Sequence, residues 1–215
     1  MSYGPTAGRP PGTGAGRPQR TQADRARTAV WLIAGWVALL WLLEVADAAT
    51  GHALDTYGVS PRDFGELRDV VPASFLHFGF DHVAANTVPL ALFGFLAALR
   101  GIRRFVAVVA VIVVVGGLGV WLVAPDGSVT AGASIVVFGL FGHLLVRGFV
   151  DRRVTDIIVG LVIGLLYSSI LWGVLPQDGS ISWQGHLFGL IGGVLAAFLF
   201  RRRALPGGRR DMTID

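Results

Sequence analysis

The sequence predicts an all-α membrane protein, a bundle of six transmembrane helices. The 215-residue chain is 53% hydrophobic and has a mean hydropathy of +0.63, which is too apolar for an ordinary water-soluble domain. Its apolar residues form continuous runs of about 20 residues, the length that crosses a bilayer as a helix. The alternating ten-residue segments of a membrane β-barrel are not found. These helices are therefore predicted to be embedded in a lipid bilayer.

Six apolar runs follow one another along the chain, separated by short polar connections and one long one. The predicted spans are 28–49, 82–99, 104–124, 131–149, 155–175 and 183–200. Residues 1–27, rich in Gly, Pro and Arg without apolar periodicity, are predicted to be a disordered cytoplasmic tail. The membrane domain would then occupy residues 28–203, and residues 204–215 would form a second cytoplasmic tail.

The distribution of arginine predicts that both termini are cytoplasmic. Of the 18 basic residues, sixteen lie in the N-terminal tail, in the connections 100–104 and 147–153, and in the C-terminal tail. Only Arg62 and Arg68 lie in the long connection between the first two spans. Because basic residues concentrate on the cytoplasmic side of a membrane protein, the high pI reports topology in a plasma membrane and predicts no nucleic-acid partner.

Three even-numbered spans each carry a polar side chain at a similar distance from a cytoplasmic arginine. Arg100 lies 14 residues after Asn86, Arg147 lies 13 after Ser134, and Arg201 lies 15 after His186. At about 1.5 Å per helical residue, all three polar groups would lie roughly 20 Å above the cytoplasmic boundary. The sequence thus predicts an amide, a hydroxyl and an imidazole at one depth, in the outer third of the bilayer.

The surroundings of these residues suggest how they could act together. His82 and Asn86 share one helix face, and small residues around Ser134 allow another backbone to approach closely. His186 lies beside a glycine ridge on the sixth span, which allows close helix packing. If the fourth and sixth spans are partners, the serine and histidine form a nucleophile and its base, a dyad without a carboxylate. Each residue alone is equally compatible with a hydrogen bond that merely holds helices together.

Three motifs taken together resemble those of rhomboid intramembrane serine proteases. They are His77-x4-His82-x3-Asn86, Gly132-Ala133-Ser134 with an aromatic residue four positions later, and Gly185-His186-x2-Gly189-x3-Gly193. The resemblance implies a six-span fold and a catalytic dyad of Ser134 and His186. It also implies that His82 and Asn86 stabilise the oxyanion, and that Phe138 packs on the catalytic imidazole.

The same resemblance implies a serine endopeptidase without a cofactor or metal ion. Its partners would be membrane proteins whose transmembrane helices are unstable near their outer ends, where a peptide bond is exposed at lower cost. The chain has no cysteine, so thiol chemistry is excluded.

One residue departs from the family pattern. Ile135 follows the predicted nucleophile directly, where these proteases usually have glycine, and its branched side chain fills space beside the hydroxyl. A weak or inactive rhomboid-like protein that binds transmembrane helices is therefore an alternative. A transporter is a third possibility, although inverted repeats and broken helices are not evident in the sequence.

Overall fold

The computed structural model describes residues 21–176 and 181–201, and six α-helices account for most of them. They are α1 (Gln22–Ala49), α2 (Phe80–Ala98), α3 (Ile102–Val123), α4 (Ser134–Val150), α5 (Val154–Leu166) and α6 (Trp183–Leu199). Four short 3-10 helices lie in the connections, at Ala53–Tyr57, Leu67–Val70, Pro72–Ser74 and Ser168–Val174. The predicted tail 204–215 and most of the predicted tail 1–27 lie outside the described residues.

The first helix begins earlier than the sequence predicts. α1 starts at Gln22 rather than near residue 28, so its first six residues belong to the helix and not to a tail. The cause is a capping box, in which the Thr21 side chain accepts from the Asp24 N–H and the Asp24 side chain accepts from the Thr21 N–H. This local signal has no apolar periodicity and is easily overlooked beside the span itself.

The helices differ in how well they match a bilayer. Among the described residues, α1, α2 and α3 are long and apolar enough to cross a membrane alone, whereas α4 and α6 are apolar but have 17 residues each. The predicted continuous span 155–175 is wrong: α5 ends at Leu166, and the 3-10 helix Ser168–Val174 continues at an angle of 70° to it. Three to four segments therefore qualify as spans by length and composition.

The fourth helix forms the centre of the bundle. α4 packs on α2, α3, α5 and α6, and its contact with α6 is the most extensive in the fold. Glycines permit this approach: a Cβ at Gly189 or Gly193 would collide with the backbone carbonyls of Ile135 and Gly139. The outer helices instead expose large apolar side chains such as Leu165, at 78% exposure, as expected for surfaces that face lipid.

The two ends of the bundle have different polar contacts. At the arginine-rich end, Asp156 of α5 pairs with both Arg100 and Arg147, and so joins α5 to α4 and to the connection between α2 and α3. At the opposite end, the Val59 and Thr130 backbones pair through N–H···O bonds of 2.8 and 3.1 Å. The long first connection is thereby fixed to the connection that precedes α4, directly above the position of Ser134.

Candidate active site

A cavity of about 590 Å³ opens at the end of the bundle where α4 and α6 begin. Its walls come from α2, α4, α6, the connection before α4 and the segment after α5. All five residues singled out from the sequence line it or pack at its edge, namely His82, Asn86, Ser134, Phe138 and His186. Polar side chains from three helices that are distant in sequence therefore share one cavity.

The imidazole of His186 is fixed on two sides. Its ring stacks on Phe138 with a centroid separation of 4.0 Å and an interplanar angle of 8°. Its Nδ1 lies 2.9 Å from the Gly173 carbonyl oxygen, and because a carbonyl can only accept, Nδ1 must carry the hydrogen. The neutral ring then has its lone pair on Nε2. This is the tautomer that a general base requires.

Gly173 reaches the imidazole because the chain bends after α5. It lies in the 3-10 helix Ser168–Val174, which a straight fifth span would have carried away from α6. A Cβ at Gly173 would lie 2.8 Å from Phe138 Cζ and 3.0 Å from His186 Nδ1. Only glycine therefore allows the backbone to come close enough for its carbonyl to bind the ring.

Ser134 is the first residue of α4, and the backbone before it is specialised. Gly132 has a φ of +142°, a conformation that favours glycine, and its N–H donates to the Ala73 carbonyl at 2.8 Å. A Cβ at Gly132 would lie 2.9 Å from His82 Nε2 and 3.4 Å from Ser134 Oγ. The serine hydroxyl and the His82 ring thus flank the same glycine. The N–H groups at the start of a helix have no acceptor within the helix itself, and Ser134 is at that start.

His82 and Asn86 contribute donors from α2. The Phe78 N–H approaches His82 Nδ1 at 3.5 Å, which makes Nδ1 the acceptor and leaves the hydrogen on Nε2, the ring nitrogen beside Gly132. Asn86 is 6% exposed, and its amide nitrogen donates one hydrogen to the His82 carbonyl at 3.0 Å. Asn86 also lines the cavity wall, so its second amide hydrogen could be donated to a group bound there.

His77 has a role that its sequence position did not reveal. His77 is 2% exposed, and its Nε2 accepts from the Ala133 N–H at 3.2 Å. Its ring also contacts that of His82 edge to face, at 5.0 Å. Burial, and secondarily the charge of His82, lower the pKa of His77 to about 4, so the ring is neutral at physiological pH. His77 thereby fixes the residue that precedes Ser134.

Ile135 occupies a fitted space away from the cavity. It is 2% exposed and does not line the cavity wall. A Cβ at Gly116 of α3 would collide with Ile135 Cγ2, and one at Gly185 of α6 would lie 3.1 Å from Ile135 Cγ1. The glycines of the two neighbouring helices thus provide the room that this branched side chain needs.

Comparison with known proteins identifies relatives along most of the chain. The family model described as Rhomboid domain matches residues 65–203. The uncharacterized protein Rv1337 of Mycobacterium tuberculosis is 41% identical over 197 residues, which cover 86% of this chain and 82% of that protein. The uncharacterized protein ML1171 of Mycobacterium leprae is 38% identical over 84% of this chain and 76% of its own. A Bacillus subtilis protein named "Putative rhomboid protease YdcA" is 33% identical, over 71% of this chain and 74% of its own.

Proposed function

Because the chain belongs to the rhomboid family, we propose that it is an intramembrane serine endopeptidase with Ser134 as nucleophile and His186 as general base. The observation that carries the proposal is the position of His186. Stacked on Phe138 and bound through Nδ1 to the Gly173 carbonyl, the ring presents a basic Nε2 within the cavity that Ser134 lines.

The Gly173 carbonyl takes the part that a carboxylate has in a serine-histidine-aspartate triad. It accepts the Nδ1 hydrogen, fixes the tautomer and holds the ring in one plane. A carbonyl has no full negative charge, so it stabilises the imidazolium formed during the reaction less than an aspartate would. Stacking on Phe138 compensates in part, because a cationic ring is attracted to an aromatic face.

The reaction proceeds as acyl transfer on a peptide bond. His186 Nε2 accepts the Ser134 hydroxyl proton as the oxygen attacks the carbonyl carbon, and it returns that proton to the leaving amine. The negative oxygen of the tetrahedral intermediate receives hydrogen bonds from the first N–H groups of α4, from His82 Nε2 and from Asn86. A water molecule then attacks the acyl-enzyme. His186 Nε2 accepts a proton from this water and returns it to the Ser134 oxygen, which releases the second product.

The substrates are transmembrane segments of other membrane proteins. We propose six spans with both termini cytoplasmic in the plasma membrane, so the cavity opens toward the outer face and admits the water that hydrolysis needs. A peptide bond in a regular helix is shielded by its own hydrogen bonds. Helices with small or helix-breaking residues near their outer ends expose that bond at lower cost.

The alternative function is that of a rhomboid-like protein that binds transmembrane helices without cleaving them. Ile135 motivates this alternative, since it replaces the glycine typical of the family. Its packing against Gly116 and Gly185, away from the cavity wall, favours the enzyme.

The proposed function can be tested by labelling the purified chain with a serine-directed fluorophosphonate and by cleavage of a model transmembrane substrate. Ser134→Ala and His186→Ala should each abolish both signals, and the double variant should be no worse than either one. Ser169→Ala is the matched control, because this second serine hydroxyl lines the same cavity and should be dispensable. Substrate binding without labelling or cleavage in the parent chain would instead establish the binding protein.

A further inference from the structure

A second cluster of ionisable side chains lies at the end of α1, away from the cavity of Ser134. The His52 Nδ1 is 3.0 Å from Asp47 Oδ2 and 3.8 Å from Asp55 Oδ2. One ligand atom from each of these three residues lies within 4.8 Å of the others, which is the span of atoms around a single bound metal ion. Arginine distribution assigns this end of the helix to the outer side of the membrane.

A fourth side chain in this region lacks the partners that its burial requires. Glu44 lies one helical turn before Asp47 on the same buried face of α1 and is 2% exposed. Neither of its carboxylate oxygens has a hydrogen-bond partner among residues 21–176 and 181–201, and neither does the buried Asp55 Oδ1. The Glu44 carboxylate is also close enough to Asp47, Asp55 and His52 to interact electrostatically with each of them.

The charges within this cluster do not balance. A protonated His52 supplies one positive charge against three carboxylates, two of which are almost fully buried. A buried carboxylate whose nearest donor is a single backbone group, that of Gly79, is unfavourable, and repulsion between neighbouring carboxylates adds to that cost. A divalent cation in place of the His52 proton would halve this excess negative charge, leaving one negative charge where there were two.

We propose that Asp47, His52 and Asp55 bind a divalent transition-metal ion of the Zn²⁺ type, with Glu44 facing it from the preceding helical turn. A mixed set of one imidazole nitrogen and carboxylate oxygens suits Zn²⁺, whereas Mg²⁺ and Ca²⁺ prefer oxygen alone. The Leu54 N–H donates to Asp47 Oδ1 at 2.7 Å and so orients the carboxylate with Oδ2 toward the other ligands.

The ion would connect α1 to the start of α2. Glu44 also faces the backbone of Gly79, the residue that precedes α2, and α2 carries His82 and Asn86. Binding at this cluster would therefore stabilise the outer end of the helix pair that forms one wall of the cavity. The site does not depend on the proposed protease activity, since none of its ligands lines that cavity.

The proposal is tested by metal binding to the full chain in detergent after treatment with EDTA. We expect ZnCl2 to bind at one ion per chain in titration calorimetry and to raise the melting temperature, whereas MgCl2 at the same concentration should have little effect. Asp55→Asn and His52→Ala, at the two more exposed positions, should each weaken the affinity at least tenfold. Asp63→Asn is the control, because Asp63 is an exposed carboxylate of the same connection.

Two results would overturn the proposal. One is an absence of Zn²⁺ binding to the parent chain up to 100-fold molar excess, which would leave the cluster as an ion pair of His52 with its neighbouring carboxylates. The other is Zn²⁺ binding that Asp55→Asn and His52→Ala leave unchanged, which would assign the ion to other histidines. If one of the two variants fails to fold, the other still decides between these results.

Discussion

Ile135 fills a space between α3 and α6, so the stability lost when this side chain is shortened should be partly restored when a neighbouring glycine is enlarged. Ile135→Ala removes a packed side chain and should lower the free energy of unfolding by about 2–5 kcal/mol. For a chain of this size that corresponds to a fall in melting temperature of roughly 5–15 °C. Gly116→Ala alone should also destabilise, because its new methyl group collides with Ile135 Cγ2; overpacking of this kind costs about 1–3 kcal/mol.

Combining the two substitutions should recover part of the loss. With Ile135 shortened, the methyl group at residue 116 enters the vacated space, and the double variant should be about 1–2 kcal/mol more stable than the sum of the single effects. Gly35→Ala serves as the control, because no atom lies within 4 Å of its added Cβ and it measures helix propensity alone. Thermal unfolding in detergent, followed by circular dichroism at one scan rate, provides the melting temperatures of the parent chain and of the four variants.

Strict additivity would refute the packing argument, since the two sites would then not share a space. Cleavage and stability assays on a further variant, Ile135→Gly, address function. If Ile135 is merely accommodated, Ile135→Gly should lower stability and raise turnover by no more than about tenfold, equivalent to roughly 1.4 kcal/mol of activation barrier. Efficient proteolysis that appears only in Ile135→Gly, with stability unchanged, would identify the isoleucine as a block to catalysis.

Three further predictions follow from the site, the topology and the buried histidine. Gly173→Ala should reduce cleavage at least tenfold and change the ¹⁵N NMR signature of the His186 tautomer, while its melting temperature should fall no further than that of Gly164→Ala, whose Cβ meets a flexible leucine at 2.9 Å. A tag inserted near Gly127 should be accessible from outside intact cells and a reporter after residue 215 should not; external access to that reporter would overturn the six-span topology. Because the folded pKa of His77 is about 4 and its ordinary value is 6.5, its stabilisation is complete above pH 6.5 and is lost as the pH falls toward 4. The melting temperature should therefore fall over this range, and less steeply in His77→Gln; equal slopes would contradict the assignment.

Sequence reasoning found the side chains of the candidate site because their chemistry is rare in a bilayer. A serine, two histidines and an asparagine within apolar runs are costly unless they meet, and the similar distances of three of them from an arginine at the end of the same run indicated one depth. The cavity lined by Ser134, His186, His82 and Asn86 is where such a meeting would be expected. Their catalytic roles stay a prediction until variants are assayed.

The sequence did not reveal the groups that orient these side chains. The Gly173 carbonyl carries no sequence signal, because every residue has a carbonyl and only the bend after Leu166 brings this one to the imidazole. The bend itself was missed because no proline marks it; its sequence signal is the interruption of the apolar run by Tyr167, Ser168 and Ser169. The contact of His77 was also invisible in the sequence, because its partner, the Ala133 N–H, lies far along the chain.

The shortness of α5 has a consequence for the surrounding lipid. Its 13 residues span about 20 Å, compared with an apolar core of about 30 Å. The bent segment beyond it adds little height, so if this pair crosses the membrane as the proposed six-span topology requires, the bilayer next to this face would become thinner to avoid exposing apolar surface to water. Lipid headgroups and water would then lie closer to the cavity on this side than elsewhere around the protein. A passing transmembrane helix that reaches this face would find its outer end protruding into a more polar layer, where its backbone hydrogen bonds open more readily.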